Sequence, residues 1–288
     1  MKFTHTFSPD TPPVCRLGLA TRGNTHLDPC DVHWAIERGV NYLNWCGRTD
    51  GMSQAVSEMG EKRQEIVFAW QIQSSSEDAA RRELEDALTE LKTDYIDIAT
   101  LYYVESESEW CRLATTGGAC SALVKAKEEG LLRMIGLTSH QRSMAASIAA
   151  GRILADENEC DPGLDPTRPL DVLMLRYNAA HRGAESDVFP TTDPIDLPVV
   201  VYTCLRWGAL MESTPDDPPG FTAPPAREWY RFCLANSSVA VAIAAPDGRE
   251  ELEHDFSLLD DWRAPSAEEM ETLRSHGDRV YQHGGSFP

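Results

Sequence analysis

The stretch SEDAARRELEDALTELKTDYIDIATLY, residues 76–102, sets a helix and a strand in immediate succession. In its first half Ala80, Leu84, Ala87, Leu88 and Leu91 recur at helical spacing behind a start rich in Ser, Glu and Asp. That pattern predicts an amphipathic helix over residues 76–91. Its second half, residues 95–102, is short and mostly apolar, as a parallel strand covered on both faces must be.

The same unit recurs outward in both directions. Further strands are predicted at residues 14–20, 40–44, 66–72, 134–138, 172–177, 199–202 and 239–244, each rich in Val, Ile, Leu or Tyr. A second clear helix, residues 121–129, ends at Gly130, the residue type that best closes a helix. Eight strands each followed by a helix predict an α/β fold, a closed (β/α)8 TIM barrel formed by residues 1–288 as one domain. The rival, an open doubly wound sheet, lacks its expected GxGxxG after the first strand. Two Pro-, Gly- and Asp-rich stretches, residues 156–169 and 212–225, interrupt the rhythm. The second follows strand seven, on the face where such barrels keep their sites, and is expected to be a lid or a surface insertion.

The chain's 288 residues are 42% apolar and 25% charged, ordinary for a soluble globular protein, but the net charge of -20 is not. It argues against nucleic acid or an anionic membrane as partner, because both need clustered Lys and Arg. A small-molecule ligand is expected instead. The eight cysteines stand singly, with no CxxC pair, so no metal is expected. The opening MKFTHTFSPDTPP has no apolar core of a leader, and no apolar run approaches a membrane span. A cytoplasmic protein with reduced thiols is the expectation.

Several segments, in order, are similar to the aldo-keto reductases. Arg16-Leu-Gly-Leu-Ala-Thr resembles that family's opening strand, and AIERGVNYLN (35–44) resembles its next helix, turn and strand. Thr93-Asp-Tyr-Ile-Asp-Ile, Glu129-Gly-Leu-Leu-Arg-Met-Ile-Gly-Leu-Thr-Ser, Arg176-Tyr-Asn and Val200-Val-Tyr-Thr-Cys-Leu-Arg-Trp-Gly continue the match over roughly residues 14–256. The resemblance implies the same barrel and carbonyl reduction with a nicotinamide cofactor. In that family a Tyr gives the proton, a Lys and an Asp tune it, and a His orients the substrate oxygen.

Here all four positions differ. The Asp falls on Asn44, the Tyr on Asp50 before Gly51, the Lys on Gln71 and the His on Tyr102. Two neutral amides cannot form a Lys–Asp pair, and Asp50 is a proton donor only if its pKa rises well above about 3.9. Tyr102 is a phenol able to hydrogen-bond a carbonyl. His181, in a polar cluster with Asn178, Arg182 and Glu185 just beyond strand six, is a second candidate acid, with His140 after strand five. Arg182 is a candidate holder of an anionic ligand. Cys46 has no activating neighbour in sequence.

For the cofactor, the resemblance places Tyr202 against the nicotinamide, Arg206 in the loop over the pyrophosphate, and Thr138 and Ser139 at the carboxamide, with Met174 replacing a Gln. After strand eight, Glu251 and Asp255 fall where the family holds the 2′-phosphate, and Arg249 is the one positive charge there. Carboxylates repel a phosphate dianion, so NAD is expected over NADP. Three functions follow as expectations: a divergent oxidoreductase with a nonstandard proton donor; a catalytically inactive barrel, a pseudoenzyme that binds a ligand; or a barrel that runs non-redox chemistry.

Overall fold

The computed structural model describes residues 3–21, 25–153 and 160–284. A two-stranded antiparallel hairpin of β1 (Thr4–His5) and β2 (Val14–Cys15) precedes eight parallel strands. These are β3 (Leu17–Ala20), β4 (Tyr42–Trp45), β5 (Val67–Ile72), β6 (Ile96–Leu101), β7 (Leu132–Ser139), β8 (Val172–Arg176), β9 (Val199–Tyr202) and β10 (Val239–Ala244). They pair in chain order, and β10 pairs with β3 to close the barrel. The helices are α1 (Pro29–Glu37), α2 (Gly51–Ser57), α3 (Glu77–Leu91), α4 (Glu107–Ala114), α5 (Ala119–Glu128), α6 (Arg142–Ala149), α7 (Ala184–Asp187), α8 (Phe189–Thr192), α9 (Ala226–Ala235), α10 (Arg249–Phe256) and α11 (Ala267–His283).

The predicted strands are all present, with one division. The segment 14–20 splits at Arg16, whose buried guanidinium donates to the carbonyls of Val239 (2.6 Å), Asn236 (3.1 Å) and Ala240 (3.4 Å). Arg16 thereby ties the first barrel strand to the last across the closing seam. Strand alternation sorts the side chains into two layers. Along β5, Val67 and Ala69 join the barrel-interior cluster, while Phe68 and Trp70 pack under the helices. Helix α3 begins after Ser76 and buries Ala80, Leu84, Ala87 and Leu91, as its spacing predicts. Gly130 takes the left-handed conformation (φ 79°), and Leu131 N–H returns to the Ala126 carbonyl at 2.9 Å to close α5.

The DYID and EGxxRxIG segments meet at the start of β6 and β7. Asp97, fully buried, accepts from Arg63 Nη2 (2.8 Å), Arg133 Nη1 (2.6 Å) and the Phe68 N–H (2.9 Å). Tyr95 lies between the same two guanidiniums, 4.5 Å from Arg63 and 4.1 Å from Arg133. The two segments occur together because one supplies the carboxylate and the other a cation that neutralises it.

The 212–225 stretch is tied back onto α11. Asp217 accepts from Thr214 N–H (2.6 Å) and Arg279 Nε (2.7 Å), and lies 3.2 Å from His276 Nδ1, so α11 holds the segment from behind. Burial alone would raise the Asp217 carboxyl, but these hydrogen bonds outweigh it and hold the group below its ordinary range. Of the 156–169 stretch, residues 156–159 lie outside the described residues. The remainder is tied down through Asp161, which accepts from the Ser121 hydroxyl at 2.5 Å. No helix among the described residues is long and apolar enough to cross a membrane.

Candidate active site

A cavity of about 700 Å3 opens at the C-terminal ends of the barrel strands. Every barrel strand delivers a residue to its wall. Ala20, Asn44, Gln71 and Tyr102 come from β3 to β6 or just beyond, and Thr138, Met174, Tyr202 and Ile243 come from β7 to β10. This is where barrel sites are built, because the strand ends point side chains from different elements into one space. The loop after β9 completes the mouth with Thr203, Trp207 and Met211. Tyr103, Thr203 and Trp207 line the cavity with left-handed backbone (φ 47°, 57° and 53°). Non-glycine residues held so cost about 1–3 kcal/mol each and gather at functional sites.

Several of the sequence candidates converge here. Tyr102 is 39% exposed, and Asn44, Gln71 and Tyr202 stand on the same wall. Asn44 is buried, and its Oδ1 has no hydrogen-bond partner among the described residues. A buried acceptor left open at a cavity wall costs about 1–3 kcal/mol until a ligand donates to it. The Tyr202 hydroxyl donates to the Ser139 carbonyl at 3.2 Å, which fixes its ring. Burial pushes the Tyr202 phenol well above its ordinary pKa, so it stays protonated.

Others stand elsewhere. Asp50 is not in the wall: its Oδ1 accepts from Met52 and Ser53 N–H, both at 2.9 Å, as the cap of α2. Gly51 beside it is required, since a Cβ there would lie 1.9 Å from the Leu27 carbonyl. A carboxylate committed to two backbone donors is a poor proton donor. His181 also lies outside the cavity lining, hydrogen-bonded to Asn178 and edge-on to Tyr281. Burial, then the cations Arg176, Arg206 and Arg142, lower its pKa to about 4, so it carries no proton to give near neutrality. Arg182 donates to the Ala179 carbonyl and pairs with Asp278, both at 2.6 Å, which ties its loop to α11 rather than to an anion. Cys46 lines the cavity, but burial and Asp50 raise its thiol pKa, the wrong direction for a nucleophile.

The cofactor candidates divide likewise. The Thr138 hydroxyl accepts the Tyr103 N–H at 2.7 Å, and Ser139 Oγ accepts the Gln141 N–H at 2.9 Å. Both side chains are buried and engaged. Arg206 donates to the Gly284 carbonyl at 2.9 Å and is not among the lining residues. Arg249 donates to Asp31 Oδ1 (2.7 Å) and the Cys30 carbonyl (3.2 Å), so it fastens α10 to α1. Glu251 and Asp255 do line the cavity, as does Arg48, with no lysine among the described lining residues.

Asp255 is the unusual carboxyl. It is buried, accepts from the Tyr230 hydroxyl at 3.1 Å, and sits one turn from Glu251. Burial raises its pKa to about 7, Glu251 adds to the rise, and the Tyr230 hydrogen bond opposes it. Between the ordinary 3.8 and about 7 the folded chain holds a proton that the unfolded chain has released. This group therefore makes stability fall as pH rises through that window. In Asp255→Asn that contribution should vanish, flattening the urea midpoint against pH between about 4 and 7. An unchanged slope would show that Asp255 titrates normally.

Sequence reasoning missed Tyr103, Glu105, Trp207 and Tyr230. The Tyr102-Tyr103 doublet was the available signal, but regular alternation would send two successive side chains to opposite faces.

The fold and its eight-sided cavity define a (β/α)8 barrel with its site at the C-terminal face. Residues 31–258 match the aldo/keto reductase family model, and the chain belongs to that family. It is similar to the methylglyoxal reductase DkgB of Escherichia coli O157:H7, 28% identical over 142 residues, covering 46% of this chain and 52% of that protein. The Salmonella typhi DkgB is 26% identical over 155 residues, covering 49% and 54%. The chain thus spans about half the length of the curated relatives it matches. Among solved structures, an aldo-keto reductase of Bacillus halodurans in its holo form superposes with a TM-score of 0.70 at 17% identity, covering 96% and 95% of the two chains. An aldo-keto reductase of Klebsiella pneumoniae in complex with NADPH gives 0.70 at 19%, covering 92% of each. Both likenesses concern the fold.

Proposed function

We propose that the chain is an NAD-linked oxidoreductase that reduces a small carbonyl compound, or oxidises the matching alcohol, with Tyr102 as proton donor. The observation that carries this reading is the cavity lining, which gathers phenols, amides and the carboxyls of Glu251 and Asp255, with Arg48 its one arginine and no lysine among the described residues. The open Asn44 Oδ1 suits a ribose hydroxyl, and the Tyr202 ring suits the nicotinamide. Glu251, and Asp255 once ionised, suit a ribose diol, which donates to carboxylates as in other dinucleotide sites. They do not suit a 2′-phosphate, and Arg249 is already engaged. The names of the DkgB relatives and the NADPH-bound neighbour support the class of chemistry.

A bound reduced nicotinamide supplies the hydride. Tyr102 offers its hydroxyl to the substrate oxygen, and Asn44 and Gln71 are neutral hydrogen-bonding groups beside it. The ligand is a small molecule, and the acidic charge of -20 counts against nucleic acid and anionic membranes. A reducing cytoplasm is the compartment this reading assigns, since the eight cysteines stand singly in the sequence.

Trp207 lines the cavity at 53% exposure and is a built-in reporter. Titrating NADH and NADPH against Trp fluorescence should show NADH binding about tenfold tighter or more. Absence of binding by either at millimolar concentration would overturn the proposal. NADH binding without turnover of any carbonyl, methylglyoxal included, would instead favour the ligand-binding pseudoenzyme, a reading the neutral Asn44 and Gln71 support.

A further inference from the structure

Tyr103 is the part of the site that neither the family positions nor the cofactor explains. Its left-handed backbone (φ 47°) is pinned by two hydrogen bonds, Tyr103 N–H to Thr138 Oγ1 at 2.7 Å and Val104 N–H to the Thr138 carbonyl at 2.9 Å. This turn breaks the strand's alternation and brings two successive phenols to one cavity. The Tyr103 ring lies 4.1 Å from that of Tyr102, inclined at 41°. Its other side is stacked on His140, 4.4 Å away at 29°. His140 is itself fixed by Glu105, which accepts its N–H at 2.9 Å and faces its Nδ1 at 3.2 Å. A strained turn backed by a carboxylate–imidazole pair is an expensive way to hold a ring that has no task.

We propose that Tyr103 is the positioning residue of the site: it donates its phenol proton in a hydrogen bond to the Tyr102 oxygen and stabilises the phenolate that Tyr102 becomes on protonating a carbonyl. This rests on the reading of Tyr102 as donor. In the step, the carbonyl carbon takes the hydride and its oxygen takes the Tyr102 proton, giving the alcohol. Solvent at the mouth then reprotonates Tyr102, which is 39% exposed. Burial and the neighbouring Tyr102 phenol raise the Tyr103 pKa to about 12, so Tyr103 keeps its own proton throughout. A hydrogen bond to a charged oxygen is about twice as strong as one to a neutral oxygen, so the gain arises as charge develops. Gln71 and Asn44, being neutral, provide no cation for this purpose.

Tyr103→Phe keeps the ring, the stack and the turn while removing the donor. With NADH it should lower kcat by about 10- to 100-fold and leave the NADH Kd unchanged. The basic limb of the kcat–pH profile should move up by about one unit, because the phenolate of Tyr102 loses its hydrogen bond. Tyrosinate absorbance, as the difference between each protein and its Tyr102→Phe derivative, should show the same upward shift without substrate or cofactor. A Tyr102 ionisation that stays put in Tyr103→Phe, with kcat also unchanged, would overturn the role of Tyr103 while leaving Tyr102 as donor. Full turnover in Tyr102→Phe alone would overturn the donor assignment and this proposal with it.

Discussion

Replacing Asp97 with alanine should destabilise the protein by about 3–5 kcal/mol, the range for removing one partner of a buried ion pair. The loss is not the energy of two salt bridges. It is the cost of leaving Arg63 buried with its charge uncompensated, together with an unpaired Phe68 N–H between two strands. Arg133 contributes less, since its side chain is 30% exposed and can turn toward water. Asp97→Asn preserves shape and one acceptor but not the charge, and should fall between the wild type and the alanine variant. Urea unfolding measures all three. A loss under about 1 kcal/mol in Asp97→Ala would mean that the barrel relaxes around the vacancy, and that the pairing is not what holds β5, β6 and β7 in register.

Tyr102→Phe should lower kcat by about 10²- to 10⁴-fold, the range supplied by a positioned general acid. Its NADH affinity should be unchanged, because the ring stays and only the hydroxyl is removed. An interaction made only in the transition state lowers kcat and kcat/KM equally, so KM should hold. His181→Ala is the matched control: that imidazole lies outside the cavity lining and has a pKa near 4, so turnover should persist. Equal losses in both variants would point to a general loosening of the strand ends rather than to proton donation. A raised KM with intact kcat in Tyr102→Phe would make the phenol a substrate anchor.

The barrel was legible because its signals are local and repeated. Each strand is a short apolar run, each helix a periodic one, and α3 buries four of the five residues its spacing selects. The division at Arg16 was not legible. It depends on carbonyls more than 220 residues away in sequence, at Val239 and Ala240. In the site, the positions of Asn44, Gln71 and Tyr102 followed from their places at strand ends, and that of Tyr202 from the family resemblance. Asp50 and Arg249 misled for one reason: a charged side chain near a site is easily consumed by a helix end or an ion pair, and sequence does not show which. Tyr103 was hidden because a left-handed tyrosine is rare and carries no mark in the residue string.

Strand β6 carries the structural carboxylate near its start, and the candidate acid follows directly on its last residue. Asp97 and Tyr102 are five residues apart, about 16 Å at the rise of an extended strand. Changes separated by more than about 10 Å with no shared partners add rather than couple. Exchanging residues at the rim that holds Tyr102 should therefore leave the stability supplied by the Asp97 clasp in place.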